Sequence, residues 1–213
     1  MRRFLAVLAA AAALAFGLLA GGVSHGGDAG KRCILLERWA VKTLADKDSA
    51  RIDFRPEKTT VSAMGDVKRI PPLPFMPRQG PEFKTFEVTC RIESYNTVRD
   101  GDLNLTLVDP DNPDRTMIAE VPSPDCLEDK KSPYAGVFRR VWGEFREIGA
   151  PGGRIIADFK RHKAREGLYT ITGVGFIDIP HLQEGAAPNY IELHPVLSIR
   201  RANLLLYGAE GRK

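Results

Sequence analysis

Glu192 and His194 stand two residues apart in the run Tyr190, Ile191, Glu192, Leu193, His194, Pro195. On an extended strand that spacing turns a carboxylate and an imidazole to one face, about 7 Å apart. Such a pair can ligate a metal or pass a proton. Ile191 and Leu193 take the opposite phase, so the acid and the imidazole are expected to look outward while the two apolar residues look in. Asp178 and His181, from the turn just before, are placed to converge on them. The spacing matches no established metal signature. The plainer reading has Glu192 and His194 hydrogen-bonded within the loop that Pro188 and Asn189 shape.

Two other constellations carry charge. Asp100, Asp102, Asp109, Asp111 and Asp114 form an acidic edge with hard oxygen ligands suited to Ca²⁺. They lack the regular alternation of a calcium loop, and Asp-Gly and Asp-Pro turns account for them equally well. Lys160, Arg161, His162, Lys163 and Arg165, with Arg200 and Arg201, are the basic clusters. Phe159 and Tyr169 are the nearest aromatics that could stack on bases, and both are expected to pack instead. The chain has no nucleophile elbow, P-loop or Cys-x-x-Cys, which disfavours common hydrolase, nucleotide-binding and thioredoxin-type chemistry.

The elements that must position these residues follow from periodicity. Phe86, Val88, Cys90 and Ile92 alternate with polar residues, as a strand with one buried face requires. Asp100, Gly101 and Asp102 turn the chain into Leu103, Leu105 and Leu107, and a second turn at Asp109 to Asp114 leads into a third strand over 116–121. Ser132 and Pro133 are placed to cap a helix along which Val137, Phe138, Val141, Trp142, Phe145 and Ile148 form one apolar stripe. Residues 154–165 are ambiguous between a short helix and an edge strand. Strands are expected over 168–179 and 190–199. Three meandering strands, a helix and two more strands make the fold mainly β, an OB-like five-stranded barrel with one helix between strands three and four. A small α+β sandwich with the same element order is the rival. Pro71, Pro72, Pro74, Pro77 and Pro81 rule out a regular helix or a central strand and mark a linker or a strap across the domain.

Arg2 and Arg3, the apolar run from Phe4 to Ala20, and Ala20-Gly21-Gly22 read as a secretory signal over residues 1–22. Residues 23–82 form a Gly- and Pro-rich spacer and N-terminal arm, 83–200 the barrel, and 201–213 a tail. The expected location is periplasmic or secreted, with membrane attachment only if the leader stays uncut. Losing Arg2 and Arg3 with the leader lowers the formal charge from +4 to +2, so charge balance gives no argument for nucleic acid. Cys33, Cys90 and Cys126 allow one disulfide in an oxidising compartment. Cys90 and Cys126 are the candidate pair, although Cys90 also fits as a small core residue.

Several segments together resemble a family of exported bacterial proteins without an assigned activity. They are the stretch from Glu37 to Asp46, Thr59-Thr60-Val61, Asp100 to Asp109, Thr116 to Glu120, Thr172 to Phe176, Ala187 to Asn189, and Glu192 to Pro195. The resemblance implies one shared architecture and transfers no function. Relatives read His-Gly-Gln where this chain has His181, Leu182 and Gln183.

Two readings follow. In the first the chain is an exported binding module for an unidentified ligand or partner protein, with Asp102, Asn189, Glu192 and His194 as a polar rim and no cofactor. In the second it is a metal-dependent hydrolase, acting on phosphodiesters, with His181, Glu192 and His194 as ligands of a divalent metal and Asp102 as fourth ligand or base. A nucleic-acid partner is a weaker third reading.

Overall fold

The computed structural model describes residues 38–71, 76–128, 133–180 and 183–203. The leader, the spacer, Cys33, Ser132, His181 and the tail beyond residue 203 lie outside the described residues. Among the described residues no helix is long and apolar enough to cross a membrane.

The N-terminal arm contributes α1 (Trp39–Lys42), β1 (Asp53–Thr59) and α2 (Val61–Asp66), the last capped by Thr60, whose side chain accepts from the Ala63 amide. Then come β2 (Lys84–Thr97), β3 (Leu103–Val108) and β4 (Thr116–Val121), an antiparallel meander. A short α3 (Asp125–Glu128) and the long α4 (Ala135–Ile148) follow, then a two-residue β5 (His162–Lys163), β6 (Leu168–Ile177) and β7 (Ile191–Arg201). β6 pairs antiparallel with both β2 and β7, and β7 meets β4 in parallel, so five strands close into an OB-like barrel. The closing backbone pairing between β4 and β7 is sparse: one register pair, Ala119 with Leu193. β1 extends the sheet beyond the barrel by pairing in parallel with the start of β2.

The inward phase of each strand is apolar, as alternation dictates. Phe86, Val88, Cys90 and Ile92 from β2, Leu103, Leu105 and Leu107 from β3, and Leu193 and Val196 from β7 share one core with Phe138, Val141 and Phe145 of α4. A bulge after Ile92 shifts the phase, which turns Tyr95 inward edge-on to Phe145, ring centroids 5.1 Å apart. α4 begins at Ala135, two residues later than the Ser132-Pro133 signal suggests, because Pro133 and Tyr134 form a turn ahead of it. Only His162 and Lys163 of the ambiguous 154–165 segment become strand, paired with Ser94 and Tyr95.

The Cys90–Cys126 pairing is not formed. Cys90 is a free thiol fully inside the barrel, where burial pushes its pKa up, while Cys126 is disulfide-bonded to a partner outside the described residues. The inward phase of β2 decides this, because it points the Cys90 side chain into the core.

Gly175 on β6 is required by close approach. A Cβ there would lie 2.7 Å from the Pro81 carbonyl oxygen and 2.9 Å from Phe86. Gly175→Ala is therefore expected to destabilise the fold by about 1–3 kcal/mol, although Ala normally outscores Gly in a strand. A urea midpoint equal to or above that of the native chain would show that the strap carrying Pro81 moves away freely.

Candidate functional site

β7 is buried on both faces, and this corrects the outward orientation expected for Glu192 and His194. Ile191 and Leu193 do face the core, but Glu192 is 3% exposed and His194 fully buried. The strand's outer face is covered by the N-terminal arm. Phe176, which opposes Glu192 across the β6–β7 ladder, lies beneath the Arg38 guanidinium and the Lys42 ammonium, 4.8 and 5.3 Å from its ring centroid. The two site residues do share a face, as their spacing demands; what lies over that face comes from more than 140 positions earlier in the chain.

Beneath this cover a carboxylate–imidazole cluster forms. His194 Nδ1 is 3.1 Å from Glu120 Oε2 and 3.2 Å from Glu192 Oε1, and its Nε2 faces Asp102 Oδ2 at 3.4 Å. That last approach lies outside hydrogen-bond geometry, and Nε2 is left without a hydrogen-bond partner. Each acid is fixed by its own element. Asp102 leads into β3 and accepts the Ser123 amide at 2.8 Å, while Glu120 on β4 accepts the side-chain amide of Asn104, its register partner on β3, at 2.6 Å. Asp102, Glu120 and His194 bring potential ligand atoms within 4.8 Å of one another, so this group can hold a metal ion.

The electrostatics of the cluster are strongly perturbed. Burial pushes the Asp102 carboxyl up to about 6 against the pull of His194. Burial likewise pushes Glu192 up to about 7, with Asp178 and Glu120 adding like charge. Burial would raise Glu120 too, but His194, Lys42 and the Asn104 hydrogen bond hold it well below the usual carboxylate range. His194 is held well above the ordinary imidazole value: burial opposes its charge, and the three surrounding carboxylates outweigh that. Burial would also lower Lys42, yet the attraction of Glu120, Glu192, Asp178 and Asp102 keeps it above its ordinary value.

Above the cluster opens a pocket of about 630 Å³. Its walls are the β2–β3 loop (Val98, Arg99, Asp100), the outer face of β3 and β4 (Asn104, Thr106, Glu120), the β6–β7 loop (Asp178, Ile179, Gln183, Glu184), and Lys42, Asn96 and Arg161. Among the described residues no aromatic side chain lines it. Glu120 alone of the cluster's members reaches the pocket.

The remaining candidates are placed elsewhere. Asn189 is buried and latches the β6–β7 loop to the end of α2, donating to the Met64 and Val67 carbonyls at 2.8 and 2.9 Å, so it is not part of an open rim. Asp100 accepts the Asp102 amide within its turn, and Asp109 accepts the Asp111 amide within its turn and the Ser62 amide of α2. Of the basic clusters, Arg161 bonds Ser94 and pairs with Glu184, His162 pairs with Asp158, Arg200 pairs with Glu87, and Arg201 caps backbone carbonyls while lying over Tyr169. Tyr169 packs as expected, whereas Phe159 is 47% exposed. Its backbone φ of 62° turns the chain there so that the ring does not reach the core.

Sequence reasoning missed Glu120 and Lys42. Glu120 carried a signal, being a lone acid in an otherwise apolar strand directly across a hairpin from Asn104. Lys42 carried none, because only the path of the arm brings it here.

Fold and site together define an OB-like barrel with a polar pocket on the outer face of its second and third strands and a buried acid–imidazole cluster beneath it. No family model, curated protein or solved structure matches the chain.

Proposed function

We propose that the protein is an extracytoplasmic binding module that takes a small, polar, neutral or cationic ligand in the pocket above Glu120. The observation that carries this is where the pocket lies. It sits on the face of the barrel's second and third strands, between the two loops with which OB-type barrels bind oligosaccharides and oligonucleotides. Its volume falls within the usual range for small-ligand sites. The hydrophobic leader and the disulfide at Cys126 support a location outside the cytoplasm.

The lining narrows the ligand. Asp100, Glu120, Asp178 and Glu184, with Asp102 and Glu192 just below, outnumber Lys42, Arg99 and Arg161, and Arg161 is already paired with Glu184. Such a floor repels phosphate chains, and among the described residues the walls offer no aromatic ring for a base to stack on. Planar amides, carboxylates and guanidinium groups suit hydroxyl- and amine-bearing ligands instead. Hydrolysis at the cluster is the weaker reading. Asp102, Glu192 and His194 gather in one cluster while His181, the other ligand of that reading, lies outside the described residues, and catalytic metal sites keep a position open to substrate whereas these three groups are buried.

Amide chemical-shift mapping tests the proposal, with a panel of neutral and amino-substituted disaccharides as one probe and single-stranded oligodeoxythymidine as the other. The expected result is shifts at Asn96, Asn104 and Gln183 with a saccharide and none there with the oligonucleotide, lost when Val98→Trp fills the mouth. The reverse preference, or saccharide shifts indifferent to Val98→Trp, would overturn it.

A further inference from the structure

We propose that Asp102, Glu120 and His194 form a binding site for a divalent transition cation, zinc or manganese, that staples the barrel shut beneath the pocket floor. This goes beyond the pocket's own ligand: the ion would share Glu120 with the pocket but sit among groups that the pocket does not reach.

Three observations converge on it. The first is the Nε2 of a fully buried histidine, which makes no hydrogen bond and has only the ion-pair approach of Asp102 Oδ2 beside it. A buried imidazole nitrogen without a partner is costly unless something coordinates it. The 3.4 Å separation from Asp102 Oδ2 is an ion-pair distance whose direction fails for a hydrogen bond. It is right for two ligands of one ion, because bonds of roughly 2.0–2.1 Å in tetrahedral geometry set ligand atoms about 3.4 Å apart.

The second is charge. Asp102, Glu120 and Glu192 are buried together around His194, with Lys42 the other nearby cation, and three carboxylates out of water against two bases leave room for further positive charge. Glu192 Oε1 at 3.2 Å and Glu120 Oε2 at 3.1 Å both flank Nδ1, which orients the ring so that Nε2 is left to bind the ion, and Glu120 joins it with a ligand atom within 4.8 Å of those of Asp102 and His194.

The third is position. β4 and β7 share a single register pair, Ala119 with Leu193, the sparsest backbone pairing around the barrel. Glu120 follows Ala119, and His194 follows Leu193. An ion held by these two residues and by Asp102 would cross-link the β2–β3 loop, β4 and β7 where backbone pairing is sparsest. One imidazole with carboxylates suits borderline cations such as Zn²⁺ or Mn²⁺ better than Ca²⁺, which prefers six or more oxygens.

The full mature chain, stripped with chelator, is titrated with Zn²⁺, Mn²⁺ and Ca²⁺ separately by calorimetry. One Zn²⁺ or Mn²⁺ per chain is expected, with a higher Tm and weaker Ca²⁺ binding. The near-isosteric Asp102→Asn and Glu120→Gln should each weaken binding by about 100-fold or more. A His162→Ala, Asp158→Asn variant, which removes the exposed His–Asp pair, should leave it unchanged. A second readout needs no variant: on metal addition the side-chain nitrogen spectrum of His194 should change to that of a ring bound through Nε2. No uptake at millimolar metal, uptake unaffected by Asp102→Asn and Glu120→Gln, or an unchanged His194 spectrum at saturation would each overturn the proposal. None of these outcomes bears on saccharide mapping at Asn96 and Gln183, so the two readings fail separately.

Discussion

Glu82→Ala is expected to lower the free energy of unfolding by about 3–5 kcal/mol, the range for removing one partner of a buried ion pair. Glu82 has no exposed surface, and its carboxylate meets the Arg38 guanidinium in a fork, both N–O distances being 2.6 Å. Its oxygens also accept the Ile177 amide at 3.0 Å and the Gln79 amide at 2.8 Å. Alanine therefore strands a buried guanidinium and two backbone donors together. Beside it, Arg78 bridges Asp46 and the Val41 and Glu82 carbonyls, tying the strap to α1. The double variant Arg38→Met, Glu82→Ala should lose clearly less than the two single losses added together, because neither charge is then left alone. Urea unfolding followed by tryptophan fluorescence measures both. A single-variant cost under about 1 kcal/mol, the size of an exposed pair, would mean that water reaches the fork. The consequence extends to the pocket, since α1 also carries Lys42.

The barrel was legible because its signals are local. Alternation at Phe86, Val88, Cys90 and Ile92, leucines at 103, 105 and 107, turn residues at Asp100-Gly101 and the stripe of Phe138, Val141 and Phe145 each report on a few neighbouring positions. Parity also put Glu192 and His194 on one face. Parity cannot say whether a face meets water, because that depends on which distant segment covers it. Proline density in the arm suggested only a linker or strap, and nothing local announces that Arg38 and Glu82 pair across 44 positions. The site was misread for the same reason. The acid and the imidazole form the interior of a polar nest, because α1 and the β6–β7 loop close over the strand from outside. Glu120 completes that nest through hairpin register, which becomes visible only once β3 and β4 are aligned.

That nest predicts an uncommon pH response. In the presence of chelator, stability should fall as pH rises from about 5 to 8, by on the order of 3 kcal/mol. Glu192 is held at about 7 against an ordinary 4.5, and Asp102 at about 6 against 3.8, each mainly by burial. Between the ordinary and the raised values the folded chain binds more protons than the unfolded one, so raising the pH favours unfolding. His194 acts in the same direction. Its charged form is favoured in the fold, so its contribution is complete below about 6.5 and is lost as pH climbs towards its raised value. The lowered carboxyls of Glu120 and Asp109 work the other way, but only in the acid range below their ordinary values. Lys42 stays charged across the window, and Asp178 adds negative charge to Glu192 rather than relieving it. Glu192→Gln keeps the shape and removes one titration, so its profile between pH 5 and 8 should be flatter than that of the native chain. A native profile that is level or rises over this range, or a Glu192→Gln profile as steep as the native one, would show that the buried carboxyls do not hold their protons near neutrality.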